Sequence, residues 1–318
     1  MIKNDPFPIF DPIVVLIGPT AIGKTALSIE LAKEFDFEII SMDSMQVYRY
    51  MDIGTAKITH EEMKNIPHHL IDVVNPDEVF NAGLYEQMAL KAIQEIIDRG
   101  KKVLITGGTG LYLSALLNGL ARQIPTFPEI RAQIETEMEQ YGHDVLHEQL
   151  TAIDEVTANR VHVNDTQRLI RALEIFRGTG RKWSSIIEEH QLDNRLRFKN
   201  VLKIGLTCER KKLYRQIEKR SKIMLGNGLH KEVTALLEKG YAPELKPMRS
   251  IGYLHMIKYI RNEWTESEMF EKLTRDTRRY AKRQYTWFNK VKDLLWFNRE
   301  QSDEVNASVS DFLTCSNS

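Results

Sequence analysis

The sequence predicts an α/β protein: a parallel-sheet core, interrupted by an all-helical insertion and completed by C-terminal helices. Three observations carry that expectation. Ile13-Val14-Val15-Leu16-Ile17 is a continuous apolar run closed by Gly18, as a strand buried on both faces requires. Strand-like and helix-like segments then alternate as far as residue 115, the pattern of a layered parallel sheet. Near residue 120 the alternation stops at Ile124-Pro125-Thr126-Phe127-Pro128 and a helical stretch begins.

The elements follow in order. Residues 25–35 place Leu27, Ile29, Leu31, Ala32 and Phe35 at helical spacing. Residues 38–42 form a second short strand that ends at Asp43. A helix over 84–97 is closed by Arg99-Gly100, and a strand over 102–106 runs into Gly107-Gly108-Thr109. Residues 129–189 read as helices with polar joints, and the run 201–206 returns to the sheet. Helices over 211–225, 229–239 and 267–290 complete the chain. The expected division is a first part of the core over 1–118, a helical insertion over 119–199, and core completion with C-terminal helices over 200–318.

Composition narrows the function classes. The 318 residues are 42% hydrophobic and 28% charged, with 44 Lys plus Arg against 44 Asp plus Glu. A soluble globular protein fits, and a nucleic-acid partner must be argued from local charge. The two cysteines, Cys208 and Cys315, give neither a disulfide framework nor a zinc spacing. Residues 1–12 lack a signal pattern, and the apolar runs are strand-sized, so a cytoplasmic protein without a membrane partner is expected. Adjacent histidines, His68 and His69, point opposite ways on an extended segment and favour a structural role over chelation.

Gly18-Pro19-Thr20-Ala21-Ile22-Gly23-Lys24-Thr25 fits the phosphate-loop (P-loop) pattern, with a strand before it and a helix after it. Glycines let backbone N–H groups curl around an anion and the following helix adds its dipole. Lys24 offers a point charge to phosphate, and Thr25 a hydroxyl to Mg²⁺. A nucleoside triphosphate is the default ligand, and a small-molecule kinase the corresponding activity. Against that, the strand 102–106 ends in Thr-Gly-Gly-Thr where a phosphoryl-transfer ATPase places an acid. The acidic strand end is Asp43, and strand carboxyl ends form the binding edge of such sheets.

Further motifs carry a family resemblance. Ser41-Met-Asp-Ser44, Met51-Asp-Ile-Gly-Thr-Ala-Lys57, Pro67-His-His-Leu-Ile-Asp72 and Gly107-Gly-Thr-Gly-Leu-Tyr112 accompany the phosphate loop. Asn164-Asp-Thr-Gln-Arg-Leu-Ile-Arg-Ala-Leu-Glu174, Arg249-Ser-Ile-Gly-Tyr253 and Lys282-Arg-Gln-Tyr-Thr-Trp-Phe288 follow in order. Together they resemble the tRNA dimethylallyltransferases, most closely the small bacterial form without a zinc-finger extension. After Tyr253 the family commonly carries a basic residue and then Gln or Glu, where Leu254 and His255 stand here.

The resemblance implies a chemistry and a set of roles. Dimethylallyl diphosphate would be the donor and the N6 amine of the adenosine 3′ to the anticodon the acceptor, with Mg²⁺ at Thr25. The phosphate loop, residues Gly18 to Thr25, would grip a leaving diphosphate, helped by Thr20 and Arg220. Asp43 would take the proton of the attacking amine, an effect of about 10²–10⁴-fold. The tRNA contacts implied are Asp43, Ser44, Met45, Gln46 and Thr109 near the loop and Arg131, Gln167, Arg168, Leu169, Ile170 and Arg171 in the insertion. Arg249, Tyr253, Lys282, Arg283 and Gln284 extend that set. Gln167 and Arg171 share a helical face, and arginine forks onto phosphate or guanine. The basic, aromatic run 272–292 suits RNA, although its aromatics also suit a core. The target adenine would be flipped out of the anticodon arm, with the helical insertion holding that arm and the enzyme acting as a monomer. The rival readings are the kinase and a non-catalytic RNA-binding module.

Overall fold

The computed structural model describes residues 8–120, 124–192 and 197–316. Of the N-terminal stretch read for a signal pattern, residues 1–7 lie outside the described residues. The chain forms two compact units, one of Met1–Leu117 with Leu196–Ser318, the other Asn118–Arg195.

The first unit opens with β1 (Ile13–Ile17), α1 (Lys24–Phe35), β2 (Phe37–Met42), α2 (His60–Met63) and β3 (His68–His69). It continues with α3 (Ala82–Asp98), β4 (Lys102–Gly107) and α4 (Gly110–Asn118). The second unit holds α5 (Pro128–Ile153), α6 (Glu155–Ala158), α7 (Thr166–Thr179) and α8 (Trp183–Leu192). The first unit resumes with β5 (Val201–Thr207), α9 (Arg210–Gly226), α10 (Leu229–Glu238) and α11 (Tyr253–Ile260). It ends with α12 (Glu266–Phe288), β6 (Leu294–Asn298) and α13 (Ser302–Ser316).

The six strands form one sheet in the order β3-β2-β4-β1-β5-β6, and every pairing is parallel. β1 is therefore central, which explains its unbroken apolar run. Its side chains alternate between two cores. Ile13, Val15 and Ile17 join one with Ile40, Val103 and Tyr85. Val14 and Leu16 join the other with Leu31 of α1, Ile217 of α9 and Val309 of α13. Among the described residues no helix is long and apolar enough to cross a membrane.

The expected strands at 13–17, 38–42, 102–106 and 201–206 all form. β3, β6, α2, α4, α11 and α13 were not anticipated. β3 has two residues, too few for a periodic signal, and β6 is a short apolar run directly after a helix. The insertion was expected to run to residue 199, but Phe198 and Lys199 lie with the first unit. Phe198 is buried in its core and bridges Ile9, and Lys199 donates its N–H to the Ile9 carbonyl at 2.9 Å. Within the insertion, α5 breaks at Gly142, whose φ of 83° no ordinary helix position adopts.

The Gly107-Gly108 pair is set by close approach. Gly107 sits opposite Met42 in the β2–β4 ladder, and a Cβ there would lie 2.1 Å from the Met42 carbonyl oxygen. Backbone cannot yield as a flexible side chain does, so Gly107→Ala is expected to destabilise the protein by about 1–3 kcal/mol or more. An unchanged urea midpoint for that variant would contradict this packing.

Candidate active site

The phosphate loop joins β1 to α1, so it lies at the carboxyl edge of the sheet, where ligands of such folds bind. Gly23 caps α1 with φ at 99°, a left-handed conformation that favours glycine. Asp43 follows β2 at the same edge, and Gly108-Thr109 follow β4. A cavity of about 610 Å³ opens there, and Thr20, Lys24, Asp43 and Arg220 are among the residues that line it. That volume lies in the range of small-molecule sites. Part of its wall is apolar, with Ile58, Ile71, Met224 and Leu273.

Asp43 is oriented by its own turn. Its Oδ1 accepts N–H groups from Met45 at 2.8 Å and Gln46 at 3.3 Å. Thr109 Oγ1 accepts the Ser44 N–H at 3.1 Å, which ties the β2 and β4 ends together. Gln46 donates to the Thr55 and Ala56 carbonyls. Ser44, Met45 and Gln46 therefore build the rim that holds Asp43, and all three face the cavity. Tyr280 of α12 also lines it; burial raises its phenol pKa, and the Asp43 charge adds to that.

Two cations face Asp43. Lys24 Nζ donates to the Gly18 and Pro19 carbonyls, each at 2.9 Å. Burial lowers its pKa from 10.5 to about 8, with the Asp43 charge opposing and the Arg220 charge assisting. Arg220, on α9, is likewise held below its ordinary value by burial, against the pull of Asp43. Asp43, Lys24, Arg220 and Tyr280 thus feel one another within one cavity, the juxtaposition the motifs implied.

No group of three or more His, Cys, Asp or Glu able to hold a metal occurs among the described residues. The donors here fit Mg²⁺ of another kind. Thr25 lines the cavity, and the Thr106 hydroxyl in the same wall is buried without a hydrogen-bond partner. Mg²⁺ keeps water and phosphate oxygens among its ligands, so hydroxyls beside a diphosphate are an adequate protein contribution. His68 and His69 are occupied elsewhere, His68 Nδ1 2.8 Å from the Ile66 carbonyl and His69 Nε2 2.7 Å from Glu38.

Several expected RNA contacts prove to be internal. Tyr253 is fully buried, and its hydroxyl donates to Glu232 at 2.6 Å. Glu232 in turn accepts the N–H groups of Asp52, Ile53 and Gly54. Gln284 is 5% exposed; its Oε1 accepts the Thr20 N–H at 2.8 Å and its Nε2 donates to the Gly108 carbonyl at 2.9 Å. Leu169 and Ile170 face the insertion core, where a side chain has no surface to offer RNA. In this structure these four side chains serve packing and positioning where the motifs implied tRNA contact, and Gln284 also lines the cavity.

The insertion cations divide likewise. Glu174 is a carboxylate 1% exposed, and Arg131 and Arg171 both pair with it. Arg131 also donates to Gln167 at 2.9 Å, and Arg171 to the Ile124 and Pro125 carbonyls. Arg168 instead projects outward, 57% exposed, with Asp165 as its ion-pair partner. In the first unit Arg249, Lys282 and Arg283 are exposed. Arg249 and Arg283 line the cavity, and Arg283 lies over the Tyr280 ring. Leu254 is half-buried, and His255 is buried against Asp276 at 3.2 Å and beside Trp264. Burial lowers the His255 pKa against the pull of Asp276, so the residue acts as a neutral link between α11 and α12.

Sequence reasoning missed Glu232, Gln216 and Arg299. Each is a single polar residue in a helix or after a strand that carries no motif of its own.

The sequence profile of the IPP transferase family matches residues 46–291. The chain belongs to this family. A tRNA dimethylallyltransferase of Desulfotalea psychrophila is 50% identical over 302 residues, covering 95% of this chain and 96% of that protein. The crystal structure of a tRNA isopentenylpyrophosphate transferase from Bacillus halodurans superposes with a TM-score of 0.71 at 37% identity, covering 96% of this chain and 98% of that one. A eukaryotic dimethylallyltransferase acting on tRNA superposes with a TM-score of 0.79 at 28% identity, over 95% of this chain and 77% of that one. The IPP transferase fold is therefore shared along nearly the whole chain.

Lys24 gives this IPP transferase site a testable pH dependence. Below about 8 the ammonium is charged and could hold an anion; above it the charge is lost. The affinity for a diphosphate ester is expected to fall as pH rises from about 7 to about 9. Stability runs the other way, because a lysine whose folded value lies below its unfolded one strains the fold only while protonated. That strain is relieved between about 8 and 10.5. Affinity that stays flat across this window by calorimetry would contradict a role for Lys24 in anion binding.

Proposed function

We propose that this protein is a tRNA dimethylallyltransferase. It moves the dimethylallyl group of dimethylallyl diphosphate to N6 of the adenosine 3′ to the anticodon and releases diphosphate. The observation that carries this is the single cavity that sets the phosphate loop against Asp43.

The residues divide the work. Backbone N–H groups of the loop, Lys24, Thr20 and Arg220 hold the diphosphate and offset the charge it gains as it leaves, by electrostatic preorganisation. The apolar wall at Ile58, Ile71 and Leu273 accepts the five-carbon chain and keeps water from the allylic carbon. The N6 lone pair forms the new N–C bond as the C–O bond to diphosphate breaks. Asp43 Oδ2 is free of the turn that occupies Oδ1, and it takes the amine proton. The Thr25 hydroxyl would hold Mg²⁺, which would supply further charge neutralisation when bound.

An adenine stacked in an anticodon loop cannot reach this cavity, so the base is flipped into it. Arg249, Lys282 and Arg283 at or beside its mouth, with Arg168 on the insertion, contact the tRNA. The enzyme works as a monomer in the cytoplasm, which agrees with its two free cysteines. The kinase reading loses support, because β4 ends without the acid that phosphoryl transfer uses and the relatives are named as transferases to tRNA.

Incubation with Mg²⁺, dimethylallyl diphosphate and unmodified tRNA is expected to yield prenylated adenosine by mass analysis of digested nucleosides. Unchanged nucleoside masses would reject the transferase reading, and ATP turnover without tRNA would restore the kinase. Arg168→Ala is expected to weaken tRNA binding and to reduce its salt slope by about 1, without altering the melting temperature. Arg171→Ala is expected to lower stability instead, since it leaves Glu174 short of a buried partner. Equal binding losses with equal stabilities would contradict this division.

A further inference from the structure

Arg299 follows β6, two strands away from the phosphate loop, and carries no family motif. Its N–H continues the ladder onto the Thr207 carbonyl at 3.1 Å, so its Cα sits at the carboxyl edge of the sheet beside the β5 end. From there its side chain reaches back over β5 to the loop. A Cβ added at Gly23 would meet Arg299 Nε at 2.8 Å and Cζ at 3.0 Å. The guanidinium therefore lies flat on the glycine immediately before Lys24, in space that any other residue would fill.

A second contact fixes it there. The Gln216 amide, on α9, fits with its nitrogen donating to the Ala21 carbonyl at 3.0 Å and its oxygen accepting from Arg299 Nη1 at 2.6 Å. Arg299 and Gln216 thus grip the loop at Ala21 and Gly23, and both residues line the cavity. The neighbouring carboxylate, Glu300, is paired with Lys212, and Arg299 makes no ion pair among the described residues. Glu300 feels the Arg299 charge but spends its close contact on Lys212, so an arginine held against a phosphate loop with donors left over is placed to bind an anion in a fork.

We propose that Arg299 is a diphosphate-binding residue that also positions the phosphate loop. On the reading of the site given above, on which this rests, Lys24 and Arg220 face the Asp43 side of the cavity. Arg299 adds a third cation from the end of β6, against Gly23, and the leaving diphosphate, which carries several negative charges, is held among the three. The loop would be held in its anion-binding curl before the ligand arrives, so less ordering remains to be done on binding.

The test uses inorganic diphosphate as the probe and the full chain in three forms: wild type, Arg299→Gln and Arg299→Lys. By calorimetry, Arg299→Gln is expected to bind diphosphate about 10- to 100-fold more weakly. Arg299→Lys, which keeps the charge without the fork, is expected to recover part of that loss. The affinity for tRNA and the unfolding midpoint should stay at the wild-type values, and KM for dimethylallyl diphosphate should rise with KM for tRNA unchanged. Wild-type affinity in Arg299→Gln would overturn the inference. Equal losses in both variants, with a lowered unfolding midpoint, would mark loop support without a charge contribution and would also overturn it. A wild-type protein that binds no diphosphate would instead remove the cradle reading on which the inference rests, and the inference with it.

Discussion

One carboxylate set among the cations of an anion-binding loop governs the rest of this structure. Asp43 shares its cavity with Lys24 and Arg220, whose own pKa values burial pulls down and Asp43 pulls back up. In so sheltered a place electrostatic forces are stronger than in water. The Asp43 charge thus opposes the loss of charge that burial imposes on both cations. A leaving anion and an incoming amine make opposite demands, one for cations and one for a base. On the proposed reading both would be met in one cavity, because β1 and β2 deliver their loops to the same edge of one parallel sheet.

The C-terminal elements complete what the first hundred residues begin. Gln284 of α12 spans from the Thr20 N–H to the Gly108 carbonyl, which pins the loop after β1 to the loop after β4. Glu232 of α10 gathers the N–H groups of residues 52–54 and the Tyr253 hydroxyl. Tyr280 and Arg220 reach the cavity from α12 and α9. Loss of any of these helices would leave the phosphate loop intact in sequence and misplaced in space.

Strands β1, β2, β4 and β5, the phosphate loop and the acidic end of β2 were legible in the sequence because each rests on local physics. A buried parallel strand must be apolar throughout, and a helix start that grips an anion must be glycine-rich. The all-helical character of the insertion was legible for the same reason, since its apolar spacing is helical from α5 to α8. Its far boundary was not, because Phe198 belongs to the core through a bridge to Ile9, a pairing 189 positions distant that no window detects. Tyr253 and Gln284 show the corresponding limit for function. A motif marks a residue as constrained, yet a tyrosine that holds a glutamate of its own fold and one that touches RNA look the same in a string of letters. Arg299 shows the converse, a charged residue with no motif, whose place beside Gly23 depends on β6 joining the sheet edge.

The account stands or falls on Asp43 as proton acceptor. Asp43→Asn keeps an oxygen for the Met45 and Gln46 N–H groups and removes the base, so the turn should survive while the chemistry fails. Single-turnover transfer from dimethylallyl diphosphate to tRNA, measured beside equilibrium tRNA binding, separates the two. The account predicts a rate about 10²-fold or more below wild type with tRNA affinity unchanged. A wild-type rate, or a rate loss matched by an equal loss of tRNA affinity, would contradict it.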